Sequence, residues 1–280
     1  MEIRISNRKK TKIKLAIQGS AGSGKTYSSL LLAKGLVNGQ FSKVAVIDTE
    51  NNSADLYAHL GDYNVVSLEA PYSPEKYIKA IELCEKSGME VIIIDSTSHC
   101  WDYLLDVHSN MPGNSFANWA KITPRQNAFI NKILSSEANI ISTMRVKQDY
   151  VISQKNGKMI PEKVGLKAIQ RNNLDYEFTL VFDIDIAHNC KASKDRTGVF
   201  VNKPEFKINE ETGTMIKEWC SQESGNRIQE NIEVEIEECT SLEALRHVYS
   251  KYPELQNKIL PSIMLKKSEL ENLGQSINNT

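Results

Sequence analysis

The chain has 280 residues, 40% hydrophobic and 25% charged, which suits a globular protein with one large core and a small appendage. Its formal net charge of -1 supplies no global basic field, so any nucleic-acid role has to rest on local patches. Apolar runs such as Val91-Ile92-Ile93-Ile94 are far too short for a bilayer, Met1 to Arg4 carry no signal-like apolar region, and the five cysteines are scattered without metal spacing; the expectation is a cytoplasmic protein with reduced thiols and no membrane.

In chain order, Ile13 to Gln18 reads as a short strand running into a glycine-rich loop, and Thr26 to Val37 as a helix stopped by Asn38-Gly39. Lys43 to Asp48 is a second apolar strand and Val65 to Leu68 a weaker third. Ser73-Pro74 opens a helix reaching about Lys86, and Glu90 to Asp95 is a strand rich in Ile. Trp101 to Pro112 is ambiguous. Ser115 to Ser136 has helical character with a break expected at Pro124, and Asn139 to Met144 is another strand. Asn156-Gly157 signals a hairpin turn within Tyr150 to Ile160. Phe178 to Ile186 reads as a half-exposed strand, and Ser193 to Gly198 as a turn before a strand at Val199-Phe200-Val201. Apolar strands alternating with helices predict an α/β domain around a mostly parallel sheet. A polar, turn-prone stretch near Gln222 to Arg227 divides residues 1–225 from a helical tail module, 226–280, with Ser241 or Thr240 as a helix cap and a second helix in Asn257 to Leu273.

Gly19-Ser20-Ala21-Gly22-Ser23-Gly24-Lys25-Thr26 is the GxxxxGK[ST] pattern between a strand and a helix. Its glycines permit a backbone that wraps phosphate oxygens with N–H groups, Lys25 reaches the β and γ phosphates, and Thr26 offers a hydroxyl to Mg²⁺. ATP with Mg²⁺ is therefore the expected ligand. Asp95 ends an apolar strand and suits the carboxylate that orients the metal; the plainer reading is a strand-end cap. The scattered histidines form no metal pair.

Together with Ile47-Asp48-Thr49-Glu50, Ile93-Ile94-Asp95-Ser96 and Lys194-Asp195-Arg196-Thr197-Gly198, this loop resembles the RecA-like P-loop ATPases. The order is similar to the phage-type, AAA-domain members of that group, including single-strand annealing proteins of the Sak type. The resemblance covers Lys12 to about Val201 and implies a RecA-like P-loop NTPase core. It implies that Glu50 polarises the attacking water and that Thr143 stands in the position of a γ-phosphate sensor, where RecA proteins carry glutamine. It also implies that Lys194 and Arg196 enter the nucleotide site of a neighbour in a ring or filament; an ordinary solvated turn is the alternative. Two DNA-contacting loops fall on Ser98 to Ala120 and Arg145 to Lys167. Their candidates are Trp119, Arg145, Lys147, Lys155 and Lys158, where aromatics among basic residues suit a single strand. The implied function is DNA-stimulated ATP hydrolysis in recombination or annealing of single-stranded DNA. The helical tail is a candidate contact for a single-strand-binding protein. A DnaB-like replication motor or loader, and a DNA-independent nucleotide switch or scaffold, are the rival functions.

Overall fold

The computed structural model describes residues 11–155, 158–171, 174–221 and 232–277, with side chains for all of these except 148–155, 158–166, 254 and 272–277. They divide into two compact units, Lys12–Cys220 and a smaller one to which 232–277 belong.

The larger unit is an eight-stranded sheet flanked by helices. Strand β1 (Lys14–Gly19) leads through the phosphate loop into α1 (Lys25–Leu36) and then β2 (Val44–Asp48). β3 (Asn64–Ser67), α2 (Pro74–Lys86) and β4 (Val91–Asp95) follow, then the helices α3 (Ser98–Ser109) and α4 (Ser115–Ser135). β5 (Asn139–Lys155) and β6 (Lys158–Ala168) form a long hairpin, and β7 (Leu180–Ile184), β8 (Cys190–Asp195) and α5 (Glu210–Ser221) close the unit. The strand order is β3-β2-β4-β5-β1-β7-β8, parallel from β3 through β7, with β8 antiparallel to β7 and β6 antiparallel to the outer half of β5. The α/β architecture with a mostly parallel sheet agrees with the sequence expectation.

Alternation along the strands divides the core between the two sheet faces. Leu15, Ile17, Val44, Val46 and Ile93 pack with Leu30 and Ala33 of α1. Ala16, Ala45, Ile47, Ile92 and Ile94 pack on the other face with Tyr77 and Ile81 of α2 and Phe129 and Ile133 of α4. Buried Lys14 donates to the carbonyls of Ser136 (2.7 Å) and Ala138 (2.6 Å), tying the end of α4 to β1, and burial pushes its ammonium down to about 8.

Four sequence expectations change. Trp101 to Pro112 falls mainly on α3. Helix α4 runs unbroken past Pro124, its second half fastened to α2 by a bidentate Arg125–Glu75 pair at 2.8 and 2.9 Å. The edge strand is Cys190–Asp195, not Val199–Val201. There the Asp195 carboxylate accepts from the backbone N–H groups of Thr197, Gly198 and Phe200, curling the chain so that Phe200 packs against Phe182 and Phe206. β5 continues to Lys155, where the sequence suggested a strand ending at Met144. Asn156 and Gly157 lie outside the described residues, but their flanks Lys155 and Lys158 are paired.

The smaller unit holds α6 (232–237), α7 (Leu242–Lys251) and α8 (Gln256–Ile277) around Ile232, Ile236, Leu245, Val248 and Ile259. Ser241 caps α7 by accepting from the Ala244 N–H at 3.2 Å. No helix among the described residues is long and apolar enough to cross a membrane.

The phosphate-loop helix is seated by a glycine pair that the sequence analysis did not single out. A Cβ at Gly35 of α1 would lie 2.0 Å from the Glu210 carbonyl oxygen, and one at Gly213 of α5 would lie 2.1 Å from that of Leu32. The two backbones therefore touch, and neither helix can shift toward solvent without opening the core. Gly35→Ala is expected to destabilise the protein by about 2–3 kcal/mol, the scale of an overpacked core. The measurement is the urea midpoint at constant slope; an unchanged midpoint would mean that α5 does not clamp α1.

Candidate active site

The phosphate loop leaves β1 between its two parallel neighbours β5 and β7. Close approach decides its composition. A Cβ at Gly19 would sit 2.5 Å from Ser23 Oγ and 2.6 Å from the Ile184 carbonyl oxygen, so only glycine fits. Gly24 has φ +87° and lies under the ring of His188, whose Nδ1 is 2.9 Å from the Ser23 carbonyl. Gly24 also precedes α1 without a side-chain cap, and the first turn of that helix carries no acid. Its free N–H groups suit an anion. The buried Ser23 Oγ has no partner among the described residues. Lys25 Nζ donates to the loop carbonyls of Gly19 (3.0 Å) and Ser20 (2.8 Å), and burial lowers its pKa against the opposing pull of Asp95 and Glu50.

Asp95, 2% exposed, is the anchor of the site. Its Oδ2 accepts from Thr26 Oγ1 at 2.6 Å and its Oδ1 from Thr143 Oγ1 at 2.5 Å. Burial raises its pKa despite these two bonds. Three elements thus meet at one carboxylate: β4 supplies it, and α1 and β5 each bring a hydroxyl to one of its oxygens. Thr49, beyond the end of β2, donates to the Asp95 carbonyl at 3.0 Å and accepts from the Ser96 N–H at 2.9 Å. The Thr143 carbonyl accepts from both the N–H (3.1 Å) and the hydroxyl (3.0 Å) of Thr97.

Glu50 stands at the mouth of this cluster, positioned by the Asp48 carboxylate, which accepts the Glu50 N–H at 2.6 Å. Its Oε1 pairs with Arg145, at 3.1 Å from Nε and 2.9 Å from the other guanidinium nitrogen. Burial works to raise the Glu50 carboxyl, but the hydrogen bond and charge of Arg145, with help from His99 and Lys25, outweigh it and hold the group below the usual carboxylate range. Arg145, expected from the resemblance to touch DNA, is therefore turned toward Glu50 instead. A cavity of about 810 Å³ opens over these groups, with Gly22, Lys25, Thr26, Glu50, Asp95 and Arg145 in its wall and Tyr57 and Ile169 as apolar sides.

The remaining candidates lie elsewhere. Lys194 Nζ donates to the carbonyls of Asp175 (2.8 Å) and Tyr176 (2.5 Å), and Arg196 reaches the Tyr176 carbonyl at 3.3 Å, so both are docked on the 3₁₀ turn Leu174–Tyr176 of their own chain. The two expected DNA loops are regular structure: Ser98 to Ala120 is mostly α3 and the start of α4, and Arg145 to Lys167 is the β5–β6 hairpin. The side chains of Lys155 and Lys158 lie outside the described residues. Trp119 stacks between Trp101 (ring centroids 5.9 Å apart) and His108 (4.1 Å), and with Lys147 it lines a second cavity of about 1070 Å³.

Sequence reasoning missed His99, His188, Thr97 and Gln170. His99 Nδ1 lies 2.8 Å from Thr49 Oγ1, and Gln170 Nε2 donates to Thr97 Oγ1 at 2.9 Å. None has a motif: Thr97 and His99 follow Asp95 at the start of α3, while Gln170 and His188 are brought in by turns remote in sequence. Among the described residues no group of three or more His, Cys, Asp or Glu side chains could hold a metal ion by itself. A hydroxyl and one carboxylate, Thr26 and Asp95, suit a cation that arrives with phosphate oxygens.

A family model described as an AAA domain matches residues 11–221, three quarters of the chain. The chain belongs to this AAA-domain family of P-loop nucleotide-binding ATPases. No curated protein matches it significantly.

The Arg145–Glu50 pair yields a test. In Arg145→Met burial of Glu50 persists while the compensating charge is gone, so its carboxyl pKa should move from below the ordinary value to above it. Carboxyl ¹³C NMR titration reads this directly; a pKa still below the ordinary value would assign the depression to Lys25 and His99.

Proposed function

We propose that this protein is a RecA-like ATPase that acts on single-stranded DNA in phage-type recombination or annealing. The observation that carries the reading is one segment shared by two cavities. Ile169 lines both, its N–H bonded to the Arg145 carbonyl at 2.7 Å, and the next residue, Gln170, lines only the larger cavity. Gln170 is hydrogen-bonded to Thr97, Thr97 to Thr143, and Thr143 to Asp95. A strand in the large cavity can thereby bias the groups around the nucleotide.

Lys25 and the loop N–H groups hold the nucleotide phosphates, and Thr26 and Asp95 hold Mg²⁺, which supplies charge neutralisation at the phosphates when bound. Glu50 is the group that orients and deprotonates the attacking water; paired with Arg145 its pKa is depressed and it is a weaker base, and release from that pair strengthens it. Its pairing with Arg145 keeps the base engaged elsewhere until the strand arrives. Thr143 contributes by fixing Asp95, a role one step removed from the phosphate sensor that the resemblance implies. Lys194 and Arg196, exchanging their carbonyl partners for a neighbour's phosphates, complete the site across a ring or filament interface.

Glu50→Gln should keep ATP binding and lower turnover by about a hundredfold, the scale of losing a general base. Wild-type turnover should rise with single-stranded DNA and not with duplex. Turnover indifferent to both, with no DNA binding in the ATP state, would favour a nucleotide-driven switch or scaffold. For the neighbour's role, Lys25→Ala and Arg196→Ala chains are each expected to be inactive alone. Mixed under exchange they should regain part of the activity, because one interface then holds an intact Lys25 facing an intact Arg196. Absence of rescue would place Arg196 outside the site.

A further inference from the structure

The large cavity has a chemistry of its own, which the nucleotide site does not use. It lies between α3 and α4 on one side and the base of the β5–β6 hairpin with residues 167–171, Leu174 and Glu177 on the other. Two of its wall residues, Gln126 (2% exposed) and Gln170 (7% exposed), have buried Oε1 atoms with no hydrogen-bond partner. For Gln170 the amide orientation is fixed by the network. The Thr97 hydroxyl proton is committed to the Thr143 carbonyl, so Thr97 can only accept from Gln170, and the amide nitrogen must face it. The oxygen is then left without a donor. Buried acceptors are normally matched, and two unmatched ones in the wall of one cavity call for a ligand that brings donors.

The rim has the opposite character. Lys147 and Lys167 are direct cross-strand partners, and both line the cavity. Like charges set opposite one another repel unless an anion lies between them. Arg171 adds a third cation to this wall, which also holds the carboxylates of Asp102, close to Lys147, and Glu177, so the cations outnumber the acids by one. Trp101 supplies the flat apolar surface; its ring stacks at an inclination of 21° on Trp119, which itself lies between Trp101 and His108. A ligand that fits all three features has a flat ring, donor groups on the ring edge and a phosphate beside it.

We propose that this cavity takes an unstacked base of a single DNA strand and selects bases carrying an exocyclic amino group, with Gln126 and Gln170 accepting from that edge and Lys147 and Lys167 holding the adjacent phosphate. The inference rests on the single-strand reading above and adds to it a base preference. Cytosine's amino group offers two N–H donors, one for each glutamine oxygen, where uracil offers the O4 acceptor and a single N3–H, so the two pyrimidines differ on the edge that the glutamines meet. With O4 facing Gln126 Oε1 and only N3–H to give, uracil leaves at least one of the two acceptors without a donor, and the site disfavours it.

The test uses the full chain in the presence of a non-hydrolysable ATP analogue. Fluorescence anisotropy compares oligo(dC) and oligo(dU) of equal length at pH 8, where both are unstructured and uncharged on the base. Oligo(dC) should bind about tenfold more tightly, the scale of one lost base-edge contact pair. Gln126→Met, which keeps the side-chain volume and removes the acceptor, should bring the two within about twofold by weakening oligo(dC) alone, a change that general loosening of the helix would not produce. Equal binding of both oligonucleotides by the wild type would overturn the base preference while leaving single-strand binding intact. Failure to bind either would overturn the single-strand reading itself. CMP displacing oligo(dC) at matching concentration would show a pocket for free nucleotides and overturn the strand-borne assignment.

Discussion

A carboxylate buried at the end of a strand has to be met by donors, and the requirement at Asp95 organises the site around it. Both of its oxygens are taken by hydroxyls, one from the first residues of α1 and one from β5. That arrangement is possible only because β5 lies between β4 and β1 in the sheet. Were β1 next to β4, the phosphate loop would still approach Asp95, but Thr143 would not, and one oxygen would be left to desolvation alone. The same carboxylate is therefore a fold constraint and, on the proposed reading, the seat for a nucleotide-bound cation.

From Asp95 the polar network runs outward in two directions. Toward the nucleotide cavity it reaches Thr49, His99 and Glu50, with the ionised carboxylate of Glu50 balanced by Arg145. Away from it, Thr143, Thr97 and Gln170 carry the network to the wall of the large cavity. Backbone and side-chain groups alternate along this route, so on the proposed reading a shift of residues 169–170 would reach Asp95 without any large movement of the sheet. The close seat of α1 on α5 at Gly35 and Gly213 holds the phosphate loop fixed while such a shift occurs. A rigid loop beside a responsive wall is what a nucleotide site needs if a second ligand is to govern it.

The sequence by itself determined the sheet class, the phosphate loop and the carboxylates Glu50 and Asp95 as candidates, because each depends on local order: a strand, then glycines at fixed spacing, then a helix start, or an acid closing an apolar run. It also determined the hairpin flanking Asn156-Gly157 and narrowed the cap to Ser241 or Thr240, both set within a few residues. Val199–Val201 misled as a strand because Phe200 serves an aromatic cluster and not a ladder while Val201 is exposed, and Pro124 misled as a break because tertiary packing on α2 outweighs its local cost. Only the tertiary structure decided that Arg145 faces Glu50, that Lys194 and Arg196 rest on the Tyr176 turn, and that Trp101, Trp119, Gln126 and Gln170 share one cavity. Those pairings join residues up to about a hundred positions apart, and nothing in their spacing announces them: strand order and the long extension of β5 bring them together, and burial then forces each polar group to find, or to lack, a partner.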